Sequence, residues 1–154
     1  MAITITSLDQ LPPDVQELLR AARDVSRFAY NKYSGVAVGA ALTTMDGRIF
    51  RGTFLENASF GLTICAEAAA LTAANSEGAR HIRRIAVVGG AEPVGSPVTP
   101  CGRCRQLLFE AADSFDQDID VYCSDLSLQN IVQSTIRELL PLAFGPGSFT
   151  RARV

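Results

Sequence analysis

Strand and helix patterns alternate along this chain, and that alternation most constrains what it can fold into. A helical pattern of apolar residues begins at Pro12 and Pro13 and runs to about Asn31. Residues 36–56 follow as two strands around an Asp-Gly turn at Asp46 and Gly47, which is a strong hairpin signal. The remaining patterns predict a helix over 65–77, a strand over 82–90, a helix over 101–113, a strand over 118–124 and a short helical turn over 135–145.

This order of elements predicts an α/β protein with one mixed sheet and helices on both faces, a three-layer α/β/α arrangement. The chain has 154 residues, 47% of them apolar, which is enough to bury a substantial core in a single domain. Because no linker or repeat divides the sequence, we expect one domain over residues 1–154.

The charge balance argues against a nucleic acid polymer as partner. The net charge is −2, and Lys32 is the only lysine, whereas phosphate contacts need clustered basic residues. No secretory signal and no apolar run of about 20 residues is present, so we expect no membrane partner and a cytoplasmic location. In a reducing compartment cysteines serve as ligands or free thiols more often than as disulfides.

Three cysteines stand at the starts of two predicted helices. "TICAEAAAL" carries Cys65, and "PCGRCRQLLFE" carries Cys101 and Cys104. The C-x-x-C pair alone fits a redox dithiol, half of a zinc site or two incidental thiols. If the two helix N-termini converge, their partial positive charges stabilise thiolates, and three thiolates favour zinc.

The fourth position of such a site separates two functions. If Cys123 completes it, the site is closed and structural, but if the position stays open for water, the site is catalytic. His81, the only histidine, lies in a polar stretch and is expected to be a surface residue. Glu67, two residues after Cys65, is either a favourable first-turn carboxylate or a proton carrier beside the metal. The apolar surroundings of Glu67 favour the second role, because burial raises the pKa of a carboxyl group.

C-A-E followed by P-C-G-x-C-R-Q resembles the small zinc-dependent cytidine deaminases, which include relatives that act on blasticidin S. "YSGVAVGAAL", "LENAS" and "ELLPLAFG" are similar to further landmarks of that family, so the resemblance covers roughly residues 20–147. It implies a mixed five-stranded sheet, one Zn²⁺ per subunit, and hydrolysis of cytidine or deoxycytidine to the uridine product and ammonia. It also implies a homotetramer with active sites shared between subunits.

The same resemblance implies roles for individual residues. Cys65, Cys101 and Cys104 would hold zinc, Glu67 would carry the proton, and Cys123 would be a core thiol. The substrate contacts would come from the Ala66 backbone N–H, from Glu56 on a ribose hydroxyl, from Phe144 of a neighbouring subunit, and from the residues at positions 36 and 54.

Three positions depart from the family pattern. Val36 replaces the usual Phe, and Phe54 replaces the usual Asn. The aromatic residue of the family pattern has thus moved from position 36 to position 54. Ala68 replaces an Arg that offsets the charge of three thiolates, a role that Arg103, Arg105 or the helix dipoles could take over. A modified cytidine, blasticidin S or another aminated heterocycle is therefore an alternative substrate. A noncatalytic zinc domain and a thiol redox protein are the alternatives of another class.

Overall fold

A computed structural model describes residues 4–149, which form a six-stranded sheet with helices on both sides. The helices are α1 (Pro13–Ser26), α2 (Ala66–Ser76), α3 (Gly102–Asp113) and α4 (Ile136–Leu139), and the strands are β1 (Thr4–Thr6), β2 (Ala37–Thr44), β3 (Ile49–Thr53), β4 (Ile82–Gly90), β5 (Asp120–Ser124) and β6 (Ile131–Thr135). No helix within this part of the chain has the length and apolar character needed to cross a membrane.

The strand order β1-β6-β5-β4-β2-β3 brings three carboxyl ends to one edge of the sheet. β2 pairs antiparallel with both β3 and β4, so β3 and β4 run in the same direction. β5 pairs parallel with β4. Because α2 follows β3 and α3 follows β4, both helices begin at this edge.

The core lies in two layers, one on each face of the sheet. On one face α1 buries Leu18 among Ala41 of β2 and Val88 of β4. On the other face α2 and α3 pack on the sheet, with Leu108 of α3 buried in the same cluster as Val87. The three-layer α/β/α prediction with a mixed sheet is therefore confirmed.

Three details differ from the sequence patterns. The short strands β1 and β6 were not predicted, and β1 adds a three-residue edge strand to the five expected from the resemblance. The prediction that α1 continues to about Asn31 is wrong, since the helix ends at Ser26. Beyond it the Tyr30 N–H donates to the Phe54 carbonyl at 3.0 Å, which draws the backbone into a bridge with Leu55.

Small residues let α2 lie very close to the sheet. Ala66, Ala70 and Ala74 recur at helical spacing, and all three are fully buried against the core. Gly52 of β3 faces the α2 backbone so closely that an added Cβ would lie 2.8 Å from the Ala69 carbonyl carbon. The alanine content of "TICAEAAAL" thus serves packing, and it brings the start of α2 down onto the carboxyl end of β3.

Candidate metal centre and active site

The three predicted cysteine ligands meet at the edge where α2 and α3 begin. Cys65 immediately precedes α2, Cys101 immediately precedes α3, and Cys104 lies in the first turn of α3. Their sulfur atoms all lie within 4.8 Å of one another. The parallel course of β3 and β4 produces this convergence of residues that are far apart in sequence.

The donor set fits zinc. Three thiols are soft ligands, and each helix N-terminus offers free N–H groups and partial positive charge that favour the thiolate form. Cys104 is buried, whereas Cys101 is exposed, so the cluster is covered on one side and open to solvent on the other. Burial raises the pKa of Cys65 and Cys104, but for Cys101 the effect of burial is outweighed by hydrogen bonds with Cys104 and Cys65, which lower its pKa. A bound cation would stabilise all three as thiolates.

No fourth protein ligand joins this group within residues 4–149. Cys123 lies in the core on β5 with 2% of its surface exposed, and burial raises the pKa of its thiol to about 12. His81 is half-buried rather than a surface residue: its ring stacks on Phe115 and its Nε2 atom lies 2.6 Å from Gln117 Oε1. Four-sulfur closure of the site therefore has no support, and all four cysteines are free rather than paired in disulfides.

Glu67 is buried beside the sulfur cluster, with only 4% of its surface exposed. Burial raises the pKa of its carboxyl group, and hydrogen bonds with its own backbone N–H and with the Cys104 thiol partly offset this effect. The side chain therefore does not point into bulk solvent. An orientation into solvent would have been incompatible with a role at the metal.

Glu56 lies just beyond the end of β3 and is also buried. Its Oε2 atom accepts hydrogen bonds from the backbone N–H groups of Tyr33, at 2.7 Å, and Ser34, at 3.2 Å. The Ser34 hydroxyl, together with these two N–H groups, lowers the pKa of Glu56, so the carboxylate is ionised at neutral pH. The two backbone bonds occupy Oε2 and tether the loop before β2.

Val36 and Phe54, two of the three positions that depart from the family pattern, are half-buried. Phe54 shares the side of its chain segment with Gly52 and Glu56, since alternate residues of an extended segment point the same way. Gly52 faces the first turns of α2, so the segment that carries Phe54 and Glu56 leaves β3 close to the start of that helix. Val36 lies two residues beyond the loop that Glu56 holds. The N–H of Ala66, the first residue of α2, has no acceptor within its own helix.

Phe144 belongs to the segment after α4. Its carbonyl accepts a hydrogen bond from Gln106 Nε2 at 2.8 Å, and its ring contacts Phe149 with 5.3 Å between centroids. The Phe144 side chain is 63% exposed. Within the described chain this ring is therefore presented outward.

Two contributions to the site had not been assigned from the sequence. Gly52 sets the depth of α2, and an isolated glycine in a strand is a known signal of close backbone approach. The backbone N–H groups of Tyr33 and Ser34 hold Glu56, which no side-chain pattern could reveal.

A mixed α/β/α sheet that carries three thiols and a buried carboxylate at one edge has the architecture of zinc-dependent hydrolytic deaminases. Comparison with known proteins agrees, since residues 12–115 match the family described as the cytidine and deoxycytidylate deaminase zinc-binding region. The chain belongs to this family.

Individual relatives cover most of the chain. The cytidine deaminase of Halalkalibacterium halodurans is 45% identical over 131 residues, which cover 85% of this chain and 94% of that protein. The crystal structure of cytidine deaminase from Burkholderia pseudomallei superposes with a TM-score of 0.74 at 39% identity, covering 83% of this chain and 97% of that chain. The blasticidin-S deaminase of Bacillus cereus is 32% identical over 139 residues, which cover 83% of this chain and 90% of that protein.

Proposed function

We propose that this protein hydrolyses cytidine and 2′-deoxycytidine to the corresponding uridine product and ammonia. One observation carries the proposal: three thiols and the buried carboxyl group of Glu67 meet where two helix N-termini converge. The reaction adds one water to C4 of the base and breaks the C4–N bond, so the oxygen remains on C4 and the amino group leaves as ammonia. The relatives named above, two of them cytidine deaminases, support this choice.

Cys65, Cys101 and Cys104 would hold one zinc ion per subunit through their thiolates. Zinc, when bound at an open site, lowers the pKa of water toward neutrality and so makes a nucleophile available at physiological pH. Exposure of Cys101 supports an open site, because it leaves that side of the cluster accessible to a small molecule.

Glu67 is the proton carrier in this proposal. It accepts a proton from the attacking water, donates it to N3 of the base, and then assists departure of the amino group. A carrier must pass through both protonation states, and burial brings the pKa of this carboxyl group nearer to neutral pH. Its hydrogen bond with the Cys104 thiol keeps the carboxyl group beside the proposed metal site, where the donor and the acceptor of each transfer would meet.

The substrate contacts follow from groups left free at the same edge. The Ala66 N–H can donate to the 2-oxo group of the base. Glu56 would accept from a ribose hydroxyl through Oε1, since the backbone N–H groups of Tyr33 and Ser34 donate to Oε2. Phe54 and Val36 would line the walls of the nucleoside pocket with apolar surface.

Ammonia release from cytidine, deoxycytidine, cytosine, blasticidin S and aminopurines is the direct test. Glu67→Gln keeps the size of the side chain but cannot carry the proton, so we expect turnover to be lost while zinc content stays at one per chain. Cys123→Ser serves as the matched control, because Cys123 lies outside the sulfur cluster and its substitution should leave zinc content unchanged. Ammonia release by Glu67→Gln at the rate of the unmodified protein would exclude the proposed role.

Blasticidin S, or another modified cytidine, is the second candidate substrate. The specific observation is Phe54, a half-buried apolar ring two residues before Glu56, at the position where the family usually carries an amide side chain. Removing that hydrogen-bonding group weakens the recognition of a plain ribose. Preferential turnover of blasticidin S in the same screen would select this candidate.

We also infer a homotetramer that shares its active sites. Large apolar side chains are exposed on the described chain, among them Phe60 at 69%, Leu62 at 66% and Phe144 at 63%. A groove of about 500 Å³ between α2 and α3, lined in part by Ile64 and Leu107, adds apolar surface next to the metal ligands. Light scattering should give four times the chain mass, and Phe144→Ala should lower kcat/KM if its ring reaches a neighbouring pocket.

The remaining inferences concern the domain organisation, the cellular location and the size of the substrate. We infer that residues 1–154 form one catalytic domain that acts in the cytoplasm on a free nucleoside rather than on a polymer. The net charge of −2 and the scarcity of lysine support the small substrate, and four free cysteines suit a reducing compartment. Fractionation of the host cells would test the location.

A further inference from the structure

Arg105 is a half-buried cation next to the metal ligands. Its Nε atom donates to the carbonyl of Pro100 at 2.8 Å, and its Nη1 atom donates to the carbonyl of Leu139 at 3.0 Å. Pro100 immediately precedes Cys101, so the first bond reaches the loop that delivers a zinc ligand. Both acceptors are neutral backbone groups, and within residues 4–149 the guanidinium pairs with no carboxylate.

The charge of Arg105 reaches the buried Cys123 thiol of β5. Its positive charge lowers the pKa of the buried Cys123 thiol, whereas burial and the Glu67 carboxylate raise that pKa. Arg105 and Glu67 are therefore both within electrostatic reach of the Cys123 thiol. The other candidate cation, Arg103, is exposed, and among the described residues its side chain donates only to the Thr63 carbonyl, at 3.3 Å.

A zinc ion held by three thiolates carries a net charge of about −1, and an ionised Glu67 adds to it. Ala68 brings no charge to this region, while the helix N-termini supply only partial positive charges. A cation without an acidic partner stabilises such a site most strongly, because no carboxylate neutralises its field. Arg105 meets this condition, since its hydrogen bonds leave the full charge uncompensated.

We propose that Arg105 is a positioning residue of the zinc centre, supplying the counter-charge for the thiolates while it holds the backbone before Cys101. This inference rests on the zinc site of the proposed function but not on the identity of the substrate. Arg105 is not required to touch the nucleoside or the reacting atoms. Its effect is on how tightly and in what geometry the three sulfur atoms keep the metal.

The test is the rate of zinc release from the purified, zinc-loaded protein to a chromogenic chelator at neutral pH. Arg105→Gln and Arg105→Met remove the charge, and the second keeps the apolar stem. We expect both to release zinc about 10- to 100-fold faster, the range found when groups that support metal ligands are removed. Arg105→Lys keeps the charge and should recover most of the difference. Arg103→Gln is the matched control on the same helix and should stay within about twofold, as exposed substitutions do.

A structural role alone would give a different pattern. It would lower the melting temperature of the zinc-stripped protein in all three Arg105 variants. The rate of zinc release would then be the same for Arg105→Lys as for the two neutral variants. Zinc release from both neutral variants at the rate of the unmodified protein overturns the inference, and so does equal release from the lysine and glutamine variants. Because zinc release needs no substrate, a protein that holds zinc but deaminates none of the nucleosides would contradict the proposed function alone.

Discussion

Replacing Gly52 by alanine should damage the active site through the backbone of α2. A Cβ at this position would lie 2.8 Å from the Ala69 carbonyl carbon and closer still to Ala70 N and Ala66 O, against ordinary contacts of 3.4–4 Å. These neighbours are backbone atoms of a helix and cannot rotate away. The overlap of at least about 0.6 Å must therefore be relieved by moving α2 off the sheet.

The magnitude follows from that displacement. Overpacking of a core costs about 1–3 kcal/mol, and contact with three backbone atoms places this substitution at about 3 kcal/mol. In a chain of this length that lowers the melting temperature by about 6–12 °C. The start of α2 carries Cys65 and Glu67, and a misplacement of about 1 Å in a catalytic group can cost about 100-fold in rate. We expect loss of kcat/KM of that order in protein that is still folded.

Gly39→Ala is the matched control on the opposite face of the sheet. Its added Cβ would lie 2.8 Å from Ser26 N and closer to Ala22 O, so the overlap with α1 is of the same kind. Because α1 carries none of the proposed site residues, this variant should lose comparable stability but keep zinc and kcat once folded.

The assay combines thermal melting, zinc content per chain and ammonia release below the melting temperature of each variant. We expect both variants to melt at a lower temperature than the unmodified protein, and only Gly52→Ala to lose kcat/KM. Folded Gly52→Ala with the activity of the unmodified protein would refute this expectation, and so would an equal loss of activity in Gly39→Ala.

Three further predictions concern the pocket and the metal. Glu56→Gln should raise KM for cytidine about tenfold, because the amide donates where Tyr33 and Ser34 also donate, whereas an ionised carboxylate accepts from both. Steady-state kinetics measures this, and an unchanged KM would contradict it. The double variant Val36→Phe, Phe54→Asn should gain cytidine turnover, and unchanged kinetics would count against the exchanged aromatic side chain. Removing zinc with a chelator should abolish ammonia release, and adding zinc should restore it. The affinity for zinc should fall as the pH falls, because the ligating cysteines must lose their protons. Zinc-free protein with full activity would exclude the metal centre.

Short spacings in the sequence were enough to predict the local chemistry of each half of the site. Cys65 with Glu67, and Cys101 with Cys104, lie within single turns of helices, so their spacing alone brings each pair to one helix start. The alternation of strands and helices also predicted the layered architecture, because hydrophobic periodicity shows which face of each element is buried. The short strands β1 and β6 were not predicted, because segments of three and five residues carry too little periodicity to be distinguished from loops.

Which groups meet across long separations in the sequence depends on the packing of the elements. The strand order sets β3 and β4 in the same direction, and that geometry unites Cys65 with Cys101 and leaves Cys123 outside their cluster. It also decided that His81 stacks on Phe115 and that Arg105 holds the backbone before a ligand. Such contacts depend on how whole elements pack, because a periodic pattern specifies the buried face of an element but not the neighbour that covers it.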